Sequence, residues 1–420
     1  MSRALPCRRR YRGDRYRFSK SAALLIFCWM FWAPLASGLS DRAFSGLTDL
    51  LGPRDAAMVA AADGRILFAH NPEAELVPAS TIKILTALAA FHYLGPDFRF
   101  TTGFYLANDG SLKIKGQGDP LLISEIVREI AATLAGELNG SERRLNHIIL
   151  DNTFFDTPIS IPGVSDSSEP FDAPVGALCV NFNTVNFKQH QGTYISAEPQ
   201  TPLIPMVLPG IEASGLQKGR ITLSHQQDEI TYYAGYLFKY FLEASGFSFA
   251  GQIKIEPVLS QDRLVLEYRS RFTLEQIVAR MLEYSNNFMA NQIFLRTGAR
   301  QHGAPGRLEN GAQAVQAYAR NELGLDRVAV AEGSGISRLN RVSARQMLAV
   351  LEAFEPHHAL MKSKDGHFFK TGHLRGIRSQ AGYYRVPEKG LYRYVILLNT
   401  PGKSMHPVLK RLLQVFQDGR

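Results

Sequence analysis

The chain has 420 residues, 45% hydrophobic and 20% charged. That is the composition of a soluble globular protein, long enough for two or three domains around a substantial core. The formal net charge of +9 is concentrated in a tail: residues 1–20 hold eight Arg/Lys against Asp14, a net of +7, which leaves +2 for the remainder. Nucleic-acid binding therefore loses its main support.

The basic tail runs into an uncharged stretch, Ser21 to Gly38, nearly all apolar from Ala22 to Leu35 and ending in Ala36-Ser37-Gly38. This reads as a secretory signal peptide, residues 1–38, cut after Gly38. The apolar run is short for a membrane span. Trp29, Phe31 and Trp32 suit the alternative of an uncleaved anchor, but the small-residue site favours cleavage. Cys7 and Cys28 lie in this leader, which leaves Cys179 as the one cysteine beyond it, so no internal disulfide is expected. Export without disulfides is compatible with a bacterial periplasm or cell envelope, with peripheral or N-terminal membrane association.

Ala56–Ala61 and Arg65–Ala69, joined through Asp63-Gly64, predict a hairpin with a type I′ turn. A helix follows the run Val77-Pro78-Ala79-Ser80-Thr81-Ile82-Lys83; Ile84, Leu85, Leu88, Ala89 and Phe91 recur at helical spacing and Gly95 stops it. Ser80 and Lys83 then lie one turn apart on one face. From about Thr102 to Leu264 the sequence is strand- and turn-rich, with eight prolines between Pro158 and Pro209. It is expected to be an accessory region, 102–264, inserted into a catalytic domain of 39–101 and 265–420.

Thr273-Leu274-Glu275-Gln276 reads as a capping box. The helix it opens runs into Tyr284-Ser285-Asn286-Asn287. Further helices are expected over Glu309–Leu323 and Ser343–Phe354. The end reads as a meander, Phe368–Thr371, Gln380–Arg385 and Tyr392–Asn399, closed by a helix over Pro407–Phe416. An antiparallel sheet flanked by helices, an α+β fold, is the expected core.

The chemistry lies in three short motifs. A serine and an amine one turn apart, at a helix start rich in free N–H groups, can make a nucleophile without histidine if the lysine is kept partly neutral. Ser285 and Asn287 place a hydroxyl and an amide between apolar stretches. Lys370-Thr371-Gly372 at a strand offers a cation, a hydroxyl and close backbone approach to a carboxylate. Taken singly each has a plainer reading: an N-cap with a surface lysine, a polar helix junction, a chance tripeptide.

Taken together, in this order, they match the trio known from penicillin-binding proteins and class A β-lactamases. The chain resembles the D-alanyl-D-alanine carboxypeptidase/endopeptidase family, the class C low-molecular-mass penicillin-binding proteins. Lys115-Gly116-Gln117-Gly118-Asp119-Pro120 and Glu332-Gly333-Ser334-Gly335-Ile336-Ser337-Arg338 with Asn340 are similar to two further segments of that family. The resemblance implies a β-lactamase/transpeptidase-like fold with a large strand-rich insertion. It implies Ser80 as nucleophile, Lys83 as base and Ser285 as proton relay held near Lys83. It assigns substrate binding to Asn287, Lys370, Thr371, Gly372 and His373, with Arg338 reaching the acidic end of the peptide. Asp166 and Asp172 are candidates with no assigned role.

One departure stands out: the family usually has Thr or Ser where this chain has His373. Its backbone N–H can still serve an oxyanion hole; its side chain replaces a hydroxyl. The implied partners are peptidoglycan peptides ending in D-Ala-D-Ala, with β-lactams as covalent inhibitors. The alternatives are a non-catalytic or weakly active penicillin-binding scaffold and, less favoured, a β-lactamase. No metal and no cofactor is expected: Pro401-Gly402-Lys403-Ser404 lacks the glycine at 397 that a phosphate loop needs, and the histidines show no zinc spacing.

Overall fold

A computed structural model describes residues 44–138 and 140–418; the signal-peptide reading lies outside the described residues. A six-stranded antiparallel sheet runs in the order Lys362–Lys364, His367–Leu374, Ile377–Val386, Gly390–Leu398, Asp55–Ala60, Ile66–His70. Asp55–Ala60 is buried along its whole length, because both faces of the sheet are covered. Ala56, Met58 and Ala60 join one core, and Ala57 and Val59 another. On the first face lie the helices Lys83–Leu94, Leu274–Tyr284, Asn287–His302 and Ala344–Phe354. On the second lies Met405–Asp418, whose Val408, Leu412, Val415 and Phe416 are buried, with Phe416 stacked on Tyr384 at 5.1 Å. The expected antiparallel sheet flanked by helices is what forms.

Lys83–Leu94 is the central helix: every residue from Lys83 to Phe91 is buried, as expected of a helix apolar nearly all round. A 3₁₀ turn, Ala79–Ile82, precedes it, so Ser80 sits in that turn and the α-helix begins at Lys83. The capping box expected at Thr273 forms with Gln276, and the helix expected from Ser343 opens on a second one, Ser343 with Gln346.

The 55–70 hairpin forms, but not with a type I′ turn. Gly64 alone has positive φ (+88°) and Asp63 does not. The Ala61 N–H donates to the Arg65 carbonyl and the Gly64 N–H to the Ala61 carbonyl. This is a type I turn closed by a left-handed glycine, a three-residue loop with a bulge, and the ladder register shifts at Val59/Ala60.

Residues 102–264 carry the expected strands and, beside them, two long helices that the sequence reading did not place. Their mixed five-stranded sheet has the order Ile253–Ile255, Ile148–Asp151, Leu112–Gly116, Thr101–Leu106, Arg263–Arg269. Two long helices, Ser124–Glu137 and Gln227–Ala244, share a second core with it, centred on Phe104, Ile130, Leu134 and Phe238. The position 264/265 falls inside the strand Arg263–Arg269, which pairs antiparallel with Thr101–Leu106. The Gly116–Pro120 turn is a crossing of chains: a Cβ at Gly116 would stand 2.2 Å from the Ala177 carbonyl oxygen. Asp119 beside it is buried, and burial pushes its carboxyl up to about 6. Cys179 is buried and free, and burial pushes its thiol up to about 12.

Candidate active site

Three segments distant in sequence meet at the mouth of the central helix. The 3₁₀ turn carrying Ser80 packs against the strand His367–Leu374 on one side and the loop 332–337 on the other. Two glycines make the approach close enough. A Cβ at Gly372 would lie 2.8 Å from the Ser80 backbone nitrogen and 2.2 Å from Ser379 Oγ; one at Gly335 (φ +85°) would lie 2.0 Å from the Ala79 carbonyl oxygen. Between them Ala79 takes φ +47°, a left-handed conformation that costs a non-glycine residue about 1–3 kcal/mol and persists only where its surroundings fix it. Here Ser379 Oγ donates to the Pro78 carbonyl at 2.5 Å.

Lys83 is completely buried. Its Nζ lies 3.0 Å from Ser80 Oγ, 2.8 Å from Asn287 Oδ1 and 2.5 Å from the Ser334 carbonyl oxygen. Asn287 Nδ2 donates to the Phe171 carbonyl at 3.1 Å, which turns the amide oxygen toward Lys83. Of the three partners, two are pure acceptors. A neutral amine has two N–H bonds and one lone pair; spent on Asn287 Oδ1 and Ser334 O, the N–H groups leave the lone pair facing the Ser80 hydroxyl. Burial, and then the Lys370 charge, hold the Lys83 ammonium well below the usual lysine range, opposed by Glu332.

Ser285 closes the helix Leu274–Tyr284 in the left-handed conformation (φ 54°), and Asn286 caps the next helix by accepting the Met289 N–H at 2.8 Å. Ser285 Oγ accepts from Lys370 Nζ at 2.6 Å, and Lys370 also donates to the Thr371 carbonyl at 2.7 Å. Ser285 was expected beside Lys83. Its hydrogen bond instead goes to Lys370, and it is Asn287, two residues on, that bonds Lys83. Burial, with Lys362 nearby, brings Lys370 down to about 7. Lys370 sits in mid-strand, opposite Ala381, because the strand runs on to Leu374.

Ser80, Ser285, Asn287, Thr371 and His373 line one cleft of about 510 Å³, with Phe171 of the inserted region on its rim. His373 is exposed and pairs across the strand with Arg378; partial desolvation, and then the Arg378 charge, lower its pKa below the usual histidine value. Arg338 is exposed and lies outside the cleft lining; its guanidinium donates to the Arg375 carbonyl, and Arg375 lines the cleft. Asp172 is buried, and its Oδ2 accepts from Ser165 Oγ and Ser167 Oγ, both at 2.6 Å. It ties down the loop that presents Phe171.

Sequence reasoning gave Glu332 no role of its own. This carboxylate is completely buried. It accepts from Ser334 N (2.7 Å), Ser334 Oγ (2.6 Å), Gly335 N (2.7 Å), Ser337 N (3.2 Å) and Asn340 Nδ2 (2.8 Å). Those bonds curl the 332–340 loop so that the Ser334 carbonyl meets Lys83 and Gly335 meets Ala79. Phe171 was missed as well, and nothing near it in sequence signals its place; its 200-residue separation from the third motif is bridged only by the fold.

A family model described as the D-Ala-D-Ala carboxypeptidase 3 (S13) family matches residues 50–206 and 215–366. A D-alanyl-D-alanine carboxypeptidase of an Actinomadura species is 26% identical over 410 residues, covering 82% of this chain and 76% of its own length. The D-alanyl-D-alanine carboxypeptidase DacB of Haemophilus influenzae is 22% identical over 329 residues, 69% of this chain and 68% of the relative. The crystal structure of penicillin binding protein 4 from Haemophilus influenzae superposes with a TM-score of 0.69 at 19% identity, covering 89% of this chain and 97% of that one. At that identity the likeness speaks for the fold.

Proposed function

Since the chain belongs to the D-Ala-D-Ala carboxypeptidase 3 (S13) family, we propose that it is an exported serine peptidase of the bacterial cell envelope. In this reading it removes the terminal D-alanine from peptidoglycan stem peptides, or cuts their cross-links, through an acyl-enzyme that β-lactams trap. The observation that carries the reading is Lys83 Nζ, fully buried and 3.0 Å from Ser80 Oγ.

Ser80 Oγ attacks the carbonyl between the two D-alanines while its proton passes to the Lys83 lone pair. The oxyanion formed is stabilised by the Ser80 and His373 backbone N–H groups; losing one such donor typically costs about 10²–10³ in rate. The intermediate collapses, the C–N bond breaks, and the proton that Lys83 took from Ser80 passes through the Ser285 hydroxyl to the leaving amine, which leaves Lys83 neutral again; Ser285 is held by its bond to Lys370. Lys370 and Thr371 bind the terminal carboxylate, and the Asn287 amide orients the substrate. Water then attacks the ester carbonyl, its proton passing to Lys83 and from there to Ser80 Oγ as the ester C–O bond breaks. Glu332 acts as a positioning residue: it sets the Ser334 carbonyl, and its charge limits how far the Lys83 pKa falls. Arg338 is assigned to the rim, toward the acidic end of the peptide, through its bond to Arg375.

The accessory region is proposed as 102–264 with its end moved to about Arg269, following the pairing of 263–269 with 101–106. Digestion of purified muropeptides tests the activity: release of D-alanine or resolution of cross-linked dimers, lost in Ser80→Ala, is expected. Stable acylation without peptide turnover would favour a penicillin-binding scaffold, and rapid hydrolysis of nitrocefin a β-lactamase.

A further inference from the structure

The run Tyr284-Ser285-Asn286-Asn287 has two faces. Ser285 and Asn287 line the cleft with Ser80; Tyr284 and Asn286 line a second cavity of about 480 Å³. Pro170 and Phe171 divide in the same way, Pro170 toward the second cavity and Phe171 toward the cleft. One layer of main chain separates the two cavities, and that layer carries Ser285 and Asn287.

The inserted region builds the other wall from a backbone held under strain. Asn181, Phe182 and Asn183 are three successive non-glycine residues with positive φ (51°, 60° and 55°), in a region that L-residues visit singly. Side chains hold them there: Asn181 Oδ1 accepts the Ser124 N–H at 2.9 Å, and Asn183 Nδ2 donates to the Pro174 carbonyl at 2.8 Å. Phe182 lines the cavity, its ring edge-on to Phe288 with centroids 6.0 Å apart. Strain maintained in this way clusters at ligand sites and switch regions.

The charges that line the cavity indicate its ligand. Arg220 is committed to Glu198 and to Thr184 Oγ1. Two charged side chains remain. Arg280 is exposed and lies over the Phe272 ring at 4.9 Å, with no acidic partner among the described residues. Glu125 is half-buried, with no hydrogen-bond or ion-pair partner among the described residues. A free cation and a free anion thus flank an apolar floor of Leu121, Ile123 and Met289. This set matches a molecule that carries an ammonium and a carboxylate on an apolar body.

We propose that this cavity is a second peptide site, which takes a stem-peptide segment with no D-Ala-D-Ala end, and that its occupancy is felt at Ser285 and Asn287. The path of that effect is short. Asn286 caps the helix through the Met289 N–H, and both residues line the cavity. A ligand that favours one arrangement of this cap shifts the residues on either side of Asn286. The peptide class rests on the functional reading above; the cavity and its shared wall do not.

The test titrates L-alanyl-γ-D-glutamyl-L-lysine into protein already acylated at Ser80 by benzylpenicillin, so that the cleft is filled. Saturable binding is expected, weakened about tenfold or more in both Arg280→Ala and Glu125→Ala, as loss of a charge-assisted bond implies. In unacylated protein, saturating tripeptide should change the benzylpenicillin acylation rate by about fivefold or more, and should not do so in the two variants. No saturable binding, or binding that both variants leave intact, overturns the site; binding without a rate change overturns the coupling. If benzylpenicillin does not acylate Ser80, the functional reading fails, and the same titration on free wild-type and variant protein still decides the cavity.

Discussion

Beside Ser80 the charges of Lys83, Lys370 and Glu332 are buried and bonded, whereas a few residues away, behind the Ser285–Asn287 backbone, those of Arg280 and Glu125 stand open. Lys83 and Glu332 are each fully buried and surrounded by donors or acceptors that fix their orientation. Arg280 and Glu125 face the neighbouring cavity with no protein partner of opposite charge among the described residues. Buried and satisfied, the first set is preorganised and spends nothing on rearrangement when charge develops. The second set is the one proposed to meet the charges of a peptide. In the proposed reading the same main chain serves the reaction centre on one face and a peptide site on the other.

The largest expected effect that would break this comparison is at Lys83. Lys83→Ala should lower the acylation rate by about 10²–10⁴-fold, the range for a positioned general base, while leaving peptide KM little changed; stopped-flow acylation and steady-state kinetics separate the two. A small loss would mean that the buried amine is not the base.

Glu332→Gln comes next. It sets an N–H among donors that need an acceptor, and each group left unpaired costs about 1–3 kcal/mol. It also removes the negative charge that opposes the lowering of the Lys83 pKa. In the proposed mechanism Lys83 works as a neutral base, so its acid limb in the profile of kcat/KM against pH should move to lower pH in the variant, and Glu332→Asp should restore part of the wild-type limb. Lower activity with an unmoved limb would reduce Glu332 to a loop anchor.

A third test measures what preorganisation costs. Lys370 is brought down to about 7 when folded, against about 10.4 when unfolded. Between these values the unfolded chain binds the proton and the folded one does not, so stability rises with pH across the window and the penalty is fully present below it. Lys370→Met should therefore be more stable than wild type at pH 7, with less gain at pH 10, as read by Tm at both pH values.

The smallest expected effects lie at the rim. Phe171→Ala should raise KM a few-fold with kcat nearly intact, because Phe171 is the contribution of the inserted region to the cleft lining. His373→Thr should change the carboxypeptidase rate several-fold; no change would mean that the side chain is idle and only its backbone matters.

The same contrast marks what the sequence could disclose. Ser80, Lys83, Ser285, Asn287 and Lys370 were legible because each sits in a short motif whose spacing is itself the chemistry. The helices opened by Thr273 and Ser343 were legible because both carry side-chain capping boxes. Ser124–Glu137 and Gln227–Ala244 begin with no side-chain cap, so these two helices were not legible among the strands and turns of the inserted region. Glu332 could not be singled out, since nothing local marks a glutamate that will be wholly buried among N–H donors. The Ser285–Lys370 bond and the place of Phe171 depend on how distant segments meet, which spacing along the chain does not encode.

The central claim is that Ser80 is the nucleophile of a penicillin-reactive acyl-enzyme. Intact-protein mass spectrometry after brief exposure to benzylpenicillin tests it most directly. One adduct with the full mass of the drug is expected, as ring opening loses no atoms, located on the Ser80 peptide and absent from Ser80→Ala. An unlabelled wild-type protein, or a Ser80→Ala variant that still takes up the drug, would contradict it.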